Sequence, residues 1–503
     1  MLASDRNSII NHLDLAWSHL GESSGDLDLP DPISFADTAA NWKTYRSRVV
    51  RMIEHDDYQP DTVDVVDLPK DRLMVRPLTR LQLNHRLIYD AAVLAVAPVV
   101  GKAMSDAVWS SRWWGRKRRV LAPTWSWMQM QRAVRRFHKQ KPDWHMARTD
   151  VTSFYEHIEV DALVDDLNTL SAPKWAVEIL NGFLHALNTL NNVSGIPQGP
   201  DTSGILANLY LRQVDLEIQR LGFTHFRYSD DIIVFGSDWI QLREVILRIN
   251  RILRSRNLIL SSSKTRIVDS KDVLAELEDM EKDAINYGIR KNSPDALKEL
   301  KLFFDRTISK RPPSARDLKF SLTQLRRADS PYAVSWLLRN FGEIPHLARE
   351  VLAYLGRFQE TDPRISYAVA NYLTDQHLAI YSYAQQHILI YLINHRIVDA
   401  STQKAAWDIL VDRNVDGFVR EFAARYIGLH PASGDDSRLR LQFMNEDNLR
   451  VRRALLVACH ESGGATKDYL SKISKSHSSL RLTADYLKSD PETIPTPQLK
   501  DWT

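Results

Sequence analysis

The chain has 503 residues, 44% of them hydrophobic, which is enough to bury large cores and to form about three domains. Its net charge of +3 is small, so attraction to nucleic acid has to come from local patches rather than from the protein as a whole. The longest candidate apolar run, residues 91–100, is shorter than the roughly 18 to 20 residues that span a bilayer, and we expect no membrane segment.

Cysteine usage and the first residues indicate the compartment. Cys459 is the only cysteine, which excludes a disulfide framework and a thiol-based zinc site. The residues after Met1 lack the apolar core of a secretory signal. We therefore expect a reducing, cytoplasmic location.

The first part of the chain combines helical periodicity with a strongly basic segment. Residues 1–64 are predicted to form helices. Residues 109–141 then mix tryptophans with arginines and lysines, a composition that suits contact with single-stranded nucleic acid. The alternative is a set of core tryptophans beneath a solvated basic helix.

Three aspartates are predicted to lie on short strands. Asp230 and Asp231 sit between Tyr228 and an apolar run, which predicts a hairpin turn between two strands. Asp150 lies in an upstream β-favouring stretch that leads into a helix-like run over residues 157–167. Carboxylates fixed on rigid strands are the ligands that Mg²⁺ prefers. Other adjacent aspartates, such as 165–166, have no such setting and are interpreted as a solvated helix edge or loop.

Two further segments complete an ordered set. Residues 195–200 form a Gly/Pro turn, with Gln198 and Gly199 at its centre, and an apolar-periodic helix over 203–211 follows. A short strand at 258–260 precedes the basic residue Lys264.

In this order and at these separations, the four segments resemble motifs A, B, C and D of the reverse transcriptase palm. The resemblance covers residues 65–270 and implies fingers and a palm in an α+β fold. It implies that Asp150 and Asp230, with the carbonyl of Val151, bind two Mg²⁺ ions, or Mn²⁺ in their place. Asp231 matches the second aspartate of the family tetrad, which is often a lesser ligand.

The same resemblance gives roles to residues that would contact substrate. Tyr155 matches the aromatic wall that excludes a 2′-hydroxyl, the alternative being a ring that fills the palm core. Gln198 and Gly199 match the turn that approaches the incoming nucleotide. Lys264 matches a cation near the leaving pyrophosphate, the alternative being a surface lysine. Arg76 and Lys70 resemble the finger residues that clamp a triphosphate, as their charge and geometry allow.

The remainder of the chain is predicted to be helical. Residues 271–313 form a charged connector, and residues 314–503 consist of amphipathic helices without a strand pattern. Stretches beginning at Asp362, Asp416 and Asp447 share an acidic cap, a β-branched residue with an arginine beside it and small residues, which resembles HEAT-type repeats. A generic helical bundle is the alternative.

A palm followed directly by helical repeats resembles the abortive-infection reverse transcriptases, which are bacterial phage-defence proteins. This resemblance implies a homo-oligomer that polymerises dNTPs without a template, starting from one of its own tyrosines and yielding covalently attached single-stranded DNA. Tyr45, flanked by cations that can stabilise a phenolate, is our candidate for the priming residue. A phage or host factor is an expected trigger. A conventional RNA-templated enzyme and a catalytically silent palm that serves as a scaffold remain the alternatives.

Overall fold

The computed structural model describes residues 3–22, 31–71, 73–190, 193–277, 280–375, 381–491, 493–496 and 498–499. The chain divides into two compact units. Unit 1 comprises residues 1–24, 43–66 and 77–279, and unit 2 comprises residues 25–42, 67–76 and 280–503.

The first part of the chain, up to the end of the sheet that carries the aspartates, alternates helices with short strands. Its elements are α1 Ala3–Glu22, α2 Pro32–Ala40, α3 Trp42–Glu54, β1 Asp64–Pro69, β2 Val75–Arg80, α4 Leu83–Ala103, β3 Trp113–Trp114, β4 Arg119–Val120, α5 Pro123–Gln140, β5 His145–Thr149, β6 Val151–Thr152, α6 Val160–Thr169, α7 Lys174–Thr189, α8 Ser203–Tyr210, α9 Arg212–Arg220, β7 Thr224–Tyr228, β8 Asp231–Gly236, α10 Trp239–Ser255, β9 Ile259–Leu260 and β10 Arg266–Val268.

The rest of the described chain is helical. Its longer helices are α11 Ser270–Leu277, α12 Met280–Arg290, α13 Pro294–Ser309, α14 Ala315–Arg327, α15 Val334–Asn340, α16 Ala348–Gly356, α17 Pro363–Thr374, α18 Ser382–His395, α19 Ala400–Val411, α20 Gly417–Leu429, α21 Asp435–Asn445, α22 Leu449–Glu461, α23 Lys467–Ser476 and α24 Arg481–Lys488. In the described residues after Val268 there is no further strand, as the sequence pattern predicts. No described helix combines the length and the apolar character that crossing a bilayer requires.

A four-stranded antiparallel sheet organises unit 1. Its strand order is β10-β5-β8-β7, so the two strands that flank the predicted carboxylates are neighbours. In the register, Ala147 of β5 lies opposite Val234 of β8, and Phe226 of β7 lies opposite Ile233. Residues 232–235 are all buried, which is the environment that a continuous apolar run predicts for a central strand.

Helices pack on this sheet and support it. Phe226, Ile233 and Phe235 form a core cluster with Met130 of α5 and Val273 of α11. Helix α10 packs against β5 and β8, and α9 packs against β7. The edge of the sheet that carries the predicted carboxylates is thereby held by buried apolar contacts rather than by the loops alone.

The N-terminal helices are shared between the units. Helix α1 packs on the long buried helix α4, which in turn contacts α7 and α8, so α1 belongs to unit 1. Helix α2 packs on α24 and belongs to unit 2, where the Thr483 hydroxyl donates a hydrogen bond of 2.6 Å to Asp37. The predicted N-terminal segment is helical, but its helices do not form one separate body.

Unit 2 is largely helical, and several of its helices are in close contact. Helices α19 and α20 pack together, and α20 also packs on α22. Gly428 of α20 lies so close to Ala458 of α22 that an added Cβ would be 2.5 Å from the Ala458 Cα. A side chain at Gly428 would therefore push the two helices apart.

The helices at the three predicted repeat starts differ in how their N-termini are capped. The Asp362 side chain caps α17 as predicted, accepting from the Arg364 N–H at 3.1 Å. Asp416 precedes α20 without a side-chain cap, and α22 is capped by Asn448 rather than by Asp447. The prediction of a common aspartate cap was therefore wrong at two positions.

Candidate active site

The hairpin between β7 and β8 brings the predicted acidic residues to the edge of the sheet. Tyr228 pairs with Asp231, which leaves Ser229 and Asp230 as the two turn residues. Ser229 has a φ of 56°, a left-handed conformation that a non-glycine residue adopts only when its surroundings hold it.

A buried polar network holds this turn. Arg227 is fully buried in β7, and its guanidinium donates to both carboxylate oxygens of Asp215 on α9, at 2.9 and 2.6 Å. It also donates to the Ser229 carbonyl at 2.9 Å. On the other side of the turn, the Ser229 N–H donates to the Ser110 hydroxyl at 2.7 Å. The strained residue is thus fixed through both of its backbone groups.

Asp150 and Asp230 approach each other from separate strands. Asp150 lies between β5 and β6, and its carbonyl accepts a hydrogen bond of 2.8 Å from the Ser261 N–H. Burial raises the pKa of Asp230, and the nearby charge of Asp150 raises it further. Two carboxylates that repel each other in a half-buried site form an arrangement that a divalent cation can neutralise.

Lys264 completes this group. Its Nζ lies 2.5 Å from an Asp150 carboxylate oxygen, and its charge partly offsets the rise in the pKa of Asp230. The structure therefore brings together Asp150, Asp230 and Lys264, three of the residues that the sequence singled out. The Lys264 ammonium supplies positive charge to a carboxylate that a bound cation would otherwise neutralise.

Asp231 has a different partner. Arg148 of β5 donates to its two carboxylate oxygens at 3.2 and 2.8 Å. The register places Arg148 opposite Ile233, two residues after Asp231, so both side chains extend from the same face of the sheet. Asp231 is committed to an ion pair here, and its predicted role as a metal ligand stays a prediction.

Few groups are available as metal ligands at the predicted site. Val151 is buried in β6, where it pairs with Leu260 of β9, and it offers only a backbone oxygen. No group of three or more His, Cys, Asp or Glu side chains suited to a metal occurs in the described parts of the chain. The fitting donors are two carboxylates and a carbonyl, which agrees with a site that substrate phosphates would complete.

The turn at residues 195–200 is anchored on two sides. The Ile196 N–H donates to the Tyr155 carbonyl at 3.1 Å, and the Gln198 carbonyl accepts from the Thr79 N–H of β2 at 2.8 Å. Gly195 has a φ of 71°, and a Cβ there would lie 2.0 Å from the Tyr155 carbonyl oxygen, so no other residue fits. Gly199 also has a positive φ, of 133°.

The two aromatic residues after Asp150 differ in environment. Phe154 is buried in the core, whereas Tyr155 is half-buried with its hydroxyl toward Gly204 of α8. Tyr155 therefore retains accessible surface beside the turn that carries Gln198, and Phe154 does not.

Lys70 and Arg76 lie on the β1–β2 hairpin. Both are exposed, and the Lys70 N–H donates to the Met74 carbonyl at 2.8 Å across the turn. They belong to unit 2, whereas the carboxylates belong to unit 1. Their predicted role in binding the triphosphate stays a prediction.

Sequence reasoning missed the residues that support the site. Arg148, Ser110, Asp215 and Arg227 make its main polar contacts, yet none of them was predicted to do so. An arginine between buried residues of a predicted strand is a signal that an acidic partner exists. That Asp215 is the partner depends on the packing of α9 against β7, which the sequence pattern does not show.

This geometry, with carboxylates from two neighbouring strands meeting beside a lysine, is typical of metal-dependent nucleotidyltransferases. Residues 74–287 match the family model described as reverse transcriptase (RNA-dependent DNA polymerase). The protein therefore contains a reverse transcriptase domain, which includes the sheet and every residue of the candidate active site in unit 1.

Similar solved structures include telomerases. The apo telomerase of Candida tropicalis is 13% identical with a TM-score of 0.33, over 79% of this chain and 73% of that one. The telomerase of the same organism with a telomeric RNA fragment is 12% identical with a TM-score of 0.32, covering 72% and 67% of the two chains. That of Candida albicans is 12% identical with a TM-score of 0.30, covering 72% and 65%. Scores this low carry no further argument, and no curated protein matches the chain.

Proposed function

We propose that this protein is a DNA polymerase that builds DNA from dNTPs by metal-dependent nucleotidyl transfer. The observation that carries the proposal is the meeting of Asp150, Asp230 and Lys264 at the edge of the sheet within a reverse transcriptase domain. The reaction forms a bond between a hydroxyl oxygen and the α-phosphorus, and it breaks the bond from that phosphorus to the pyrophosphate.

The residues of the site divide this chemistry between them. Asp150 and Asp230, with the Val151 carbonyl, would hold Mg²⁺ or Mn²⁺. The bound cations supply Lewis-acid activation of the hydroxyl and neutralise the phosphates. Lys264 offers the leaving pyrophosphate a cation and a proton.

Substrate recognition falls to the surrounding residues. Gln198 and Gly199 approach the incoming nucleotide with a turn whose backbone is fixed on both sides. Tyr155 excludes a ribose 2′-hydroxyl with its ring.

The preferred form of this activity is untemplated and primed by the protein itself. It is supported by the absence of a Phe-Leu-Gly type primer-grip motif after Lys264 in the sequence. Tyr45 on α3 is half-buried, and its neighbour Arg46 pairs with Asp14 at 2.5 Å, which leaves Lys43 as the exposed cation beside it. Peptide mapping of a DNA-linked protein has to compare Tyr45 with Tyr287 and Tyr367, which are 68% and 73% exposed.

The cellular role that fits this form is anti-phage abortive infection by a cytoplasmic homo-oligomer. Support comes from the order of the chain, in which the reverse transcriptase domain is followed by packed helix pairs such as α19–α20 and α20–α22. We propose that these helices act as HEAT-like repeats that bind a phage or host partner or assist assembly.

A conventional RNA-templated reverse transcriptase is the second candidate. The description of the matching family as RNA-dependent DNA polymerases favours it. In this form the same carboxylates would extend a primer on an RNA template.

One incubation separates the two candidates. The purified protein is mixed with Mg²⁺ and labelled dNTPs without template or primer, and the products are run on a denaturing gel before and after nuclease treatment. Label that migrates with the protein and shifts after nuclease supports self-primed synthesis. Incorporation only when an RNA template and a primer are supplied supports the second candidate, and no incorporation in either case favours a silent scaffold.

A further inference from the structure

The segment before strand β5 is strongly basic. Residues 107–142 contain no aspartate or glutamate. They contain ten basic residues, namely Arg112, Arg116, Lys117, Arg118, Arg119, Arg132, Arg135, Arg136, Lys139 and Lys141. Such a local charge attracts phosphates even though the whole chain is nearly neutral.

The structure sorts the tryptophans of this segment into different environments. Lys117 and Arg119 lie over the Trp114 ring, at 4.9 and 5.4 Å from its centroid. Trp127 packs edge-on against Tyr228 with the ring centroids 5.1 Å apart. Trp125, in contrast, is 48% exposed near the start of α5. Of these three tryptophans, Trp125 offers the most accessible ring for a base.

Five of the exposed residues of α5 form one narrow line, which we call the α5 stripe. At 3.6 residues per turn, its members lie within an arc of about 80° and extend over about 21 Å along the helix. The stripe consists of Trp125, Met128, Arg132, Arg136 and Lys139, all of them exposed.

The stripe begins beside the catalytic hairpin. The Tyr228 hydroxyl donates to the carbonyl of Pro123, the first residue of α5, at 2.9 Å. Tyr228 directly precedes the two turn residues of the hairpin. The apolar end of the stripe is therefore next to the site, and the cationic end is farther from it.

We propose that the α5 stripe is a binding track for single-stranded DNA that leaves the active site. Trp125 stacks on a base close to the hairpin, and Arg132, Arg136 and Lys139 follow the phosphates beyond it. Stacking on an aromatic ring combined with cations along the backbone suits single strands and requires no particular sequence. The direction of the strand rests on the proposed polymerase function, whereas the binding itself does not.

The test measures binding without catalysis. A fluorescein-labelled oligothymidylate of about twenty nucleotides is titrated with the full-length protein in EDTA, and anisotropy is followed at several salt concentrations. The variant Arg132→Gln/Arg136→Gln/Lys139→Gln removes three charges from the stripe. The matched control Arg243→Gln/Arg251→Gln/Arg254→Gln removes three exposed charges from α10. Circular dichroism verifies that both variants are folded.

We expect the stripe variant to bind at least about tenfold more weakly, with the slope of log K against log salt reduced by about 2, since each phosphate contact contributes about 0.7. Trp125→Ala should weaken binding about tenfold through lost stacking. Equal losses in the stripe and control variants would overturn the proposal, as would a preference of the wild type for duplex DNA. If the oligonucleotide binds as expected but no dNTP is incorporated, the proposed polymerase function fails and the α5 stripe stands.

Discussion

At the scale of single residues, Asp230 has an electrostatic environment that opposes its ionisation. Burial raises its pKa above the ordinary value of 3.8, and the charge of Asp150 acts in the same direction. A carboxyl with a raised pKa favours the folded state while it is protonated, and this contribution is lost as the pH rises through the folded-state pKa. The charged form of Asp230 therefore opposes folding.

Replacement of this charge should stabilise the protein. We predict that Asp230→Asn raises the Tm of the metal-free protein at pH 7, because it removes the repulsion with Asp150, and that the difference narrows as the pH falls toward about 4. Differential scanning calorimetry in EDTA across this pH range measures the effect. A lower Tm of the variant at pH 7 would show that Asp230 is a structural residue instead.

Tyr155 is the residue that we expect to select dNTPs over NTPs. Because Tyr155 is half-buried and its backbone carbonyl accepts a hydrogen bond from the turn that carries Gln198, Tyr155→Val should reduce the preference for dNTPs over NTPs by about tenfold or more, by opening space for the 2′-hydroxyl. Competition between labelled dNTP and NTP measures this ratio. Phe154→Leu, a change in the adjacent buried ring, is the control that should leave the ratio unchanged. An unaltered ratio in both variants would show that Tyr155 packs in the core and does not select the sugar.

At the scale of elements, the β7–β8 hairpin depends on a buried ion pair. Arg227 joins β7 to α9 through Asp215 and at the same time holds the Ser229 carbonyl, so one guanidinium links the fold of the sheet to the geometry of the turn. His225 also contacts Asp215, with its Nε2 3.1 Å from the carboxylate. Loss of either partner leaves a buried charge without compensation.

We predict that Arg227→Met lowers the free energy of unfolding by about 3 to 5 kcal/mol, because Asp215 remains buried without its arginine. Asp215→Leu should cost a similar amount, and the double variant should recover a large part of the loss. Urea denaturation of the four proteins gives the coupling energy. If the losses of the two single variants simply add in the double variant, Arg227 and Asp215 are not energetically coupled.

The helices of unit 2 contain a comparable pair. Arg420 of α20 is buried and donates to both oxygens of Glu446, and its Nε donates to the Leu410 carbonyl of α19 at 2.9 Å. Arg364 of α17, an arginine in another of the predicted repeats, instead makes a more exposed pair with Asp362.

This difference gives a matched comparison. Arg420→Met should destabilise unit 2 by about 3 kcal/mol or more, since Glu446 would stay buried as an unpaired charge. Arg364→Met should leave stability unchanged, because its pair is screened by solvent. Chemical denaturation followed by circular dichroism measures both variants. An equal effect of the two substitutions would mean that the ion pairs contribute alike despite their burial.

At the scale of the whole molecule, short-range sequence patterns predict the helices and strands better than they predict which side chains interact with one another. The strands around Asp150 and Asp230 follow from local apolar runs and turn residues. That the two aspartates meet at one sheet edge was predicted only from the resemblance to the reverse transcriptase palm. The all-helical region after Val268 could be predicted for the same reason.

What the sequence could not supply depends on tertiary packing. Strand periodicity fixes the face on which Asp231 lies but not its partner, and the Arg148 ion pair appears only once β5 and β8 are in register. The start of α22 differs by one residue from the predicted cap, which places Asn448 rather than Asp447 at the N-cap. The membership of α2 in unit 2 follows from its packing on α24, which local patterns do not contain.

The most direct test of the catalytic assignment compares dNTP incorporation by the wild type with three single variants and a control. Asp150→Asn and Asp230→Asn should each reduce incorporation by about a thousandfold or more, because the site loses a carboxylate. Asp231→Asn should reduce it less, since Asp231 pairs with Arg148. Asp165→Asn, an exposed aspartate on α6, should have no effect. Incorporation that survives in folded Asp150→Asn or Asp230→Asn protein would contradict the account.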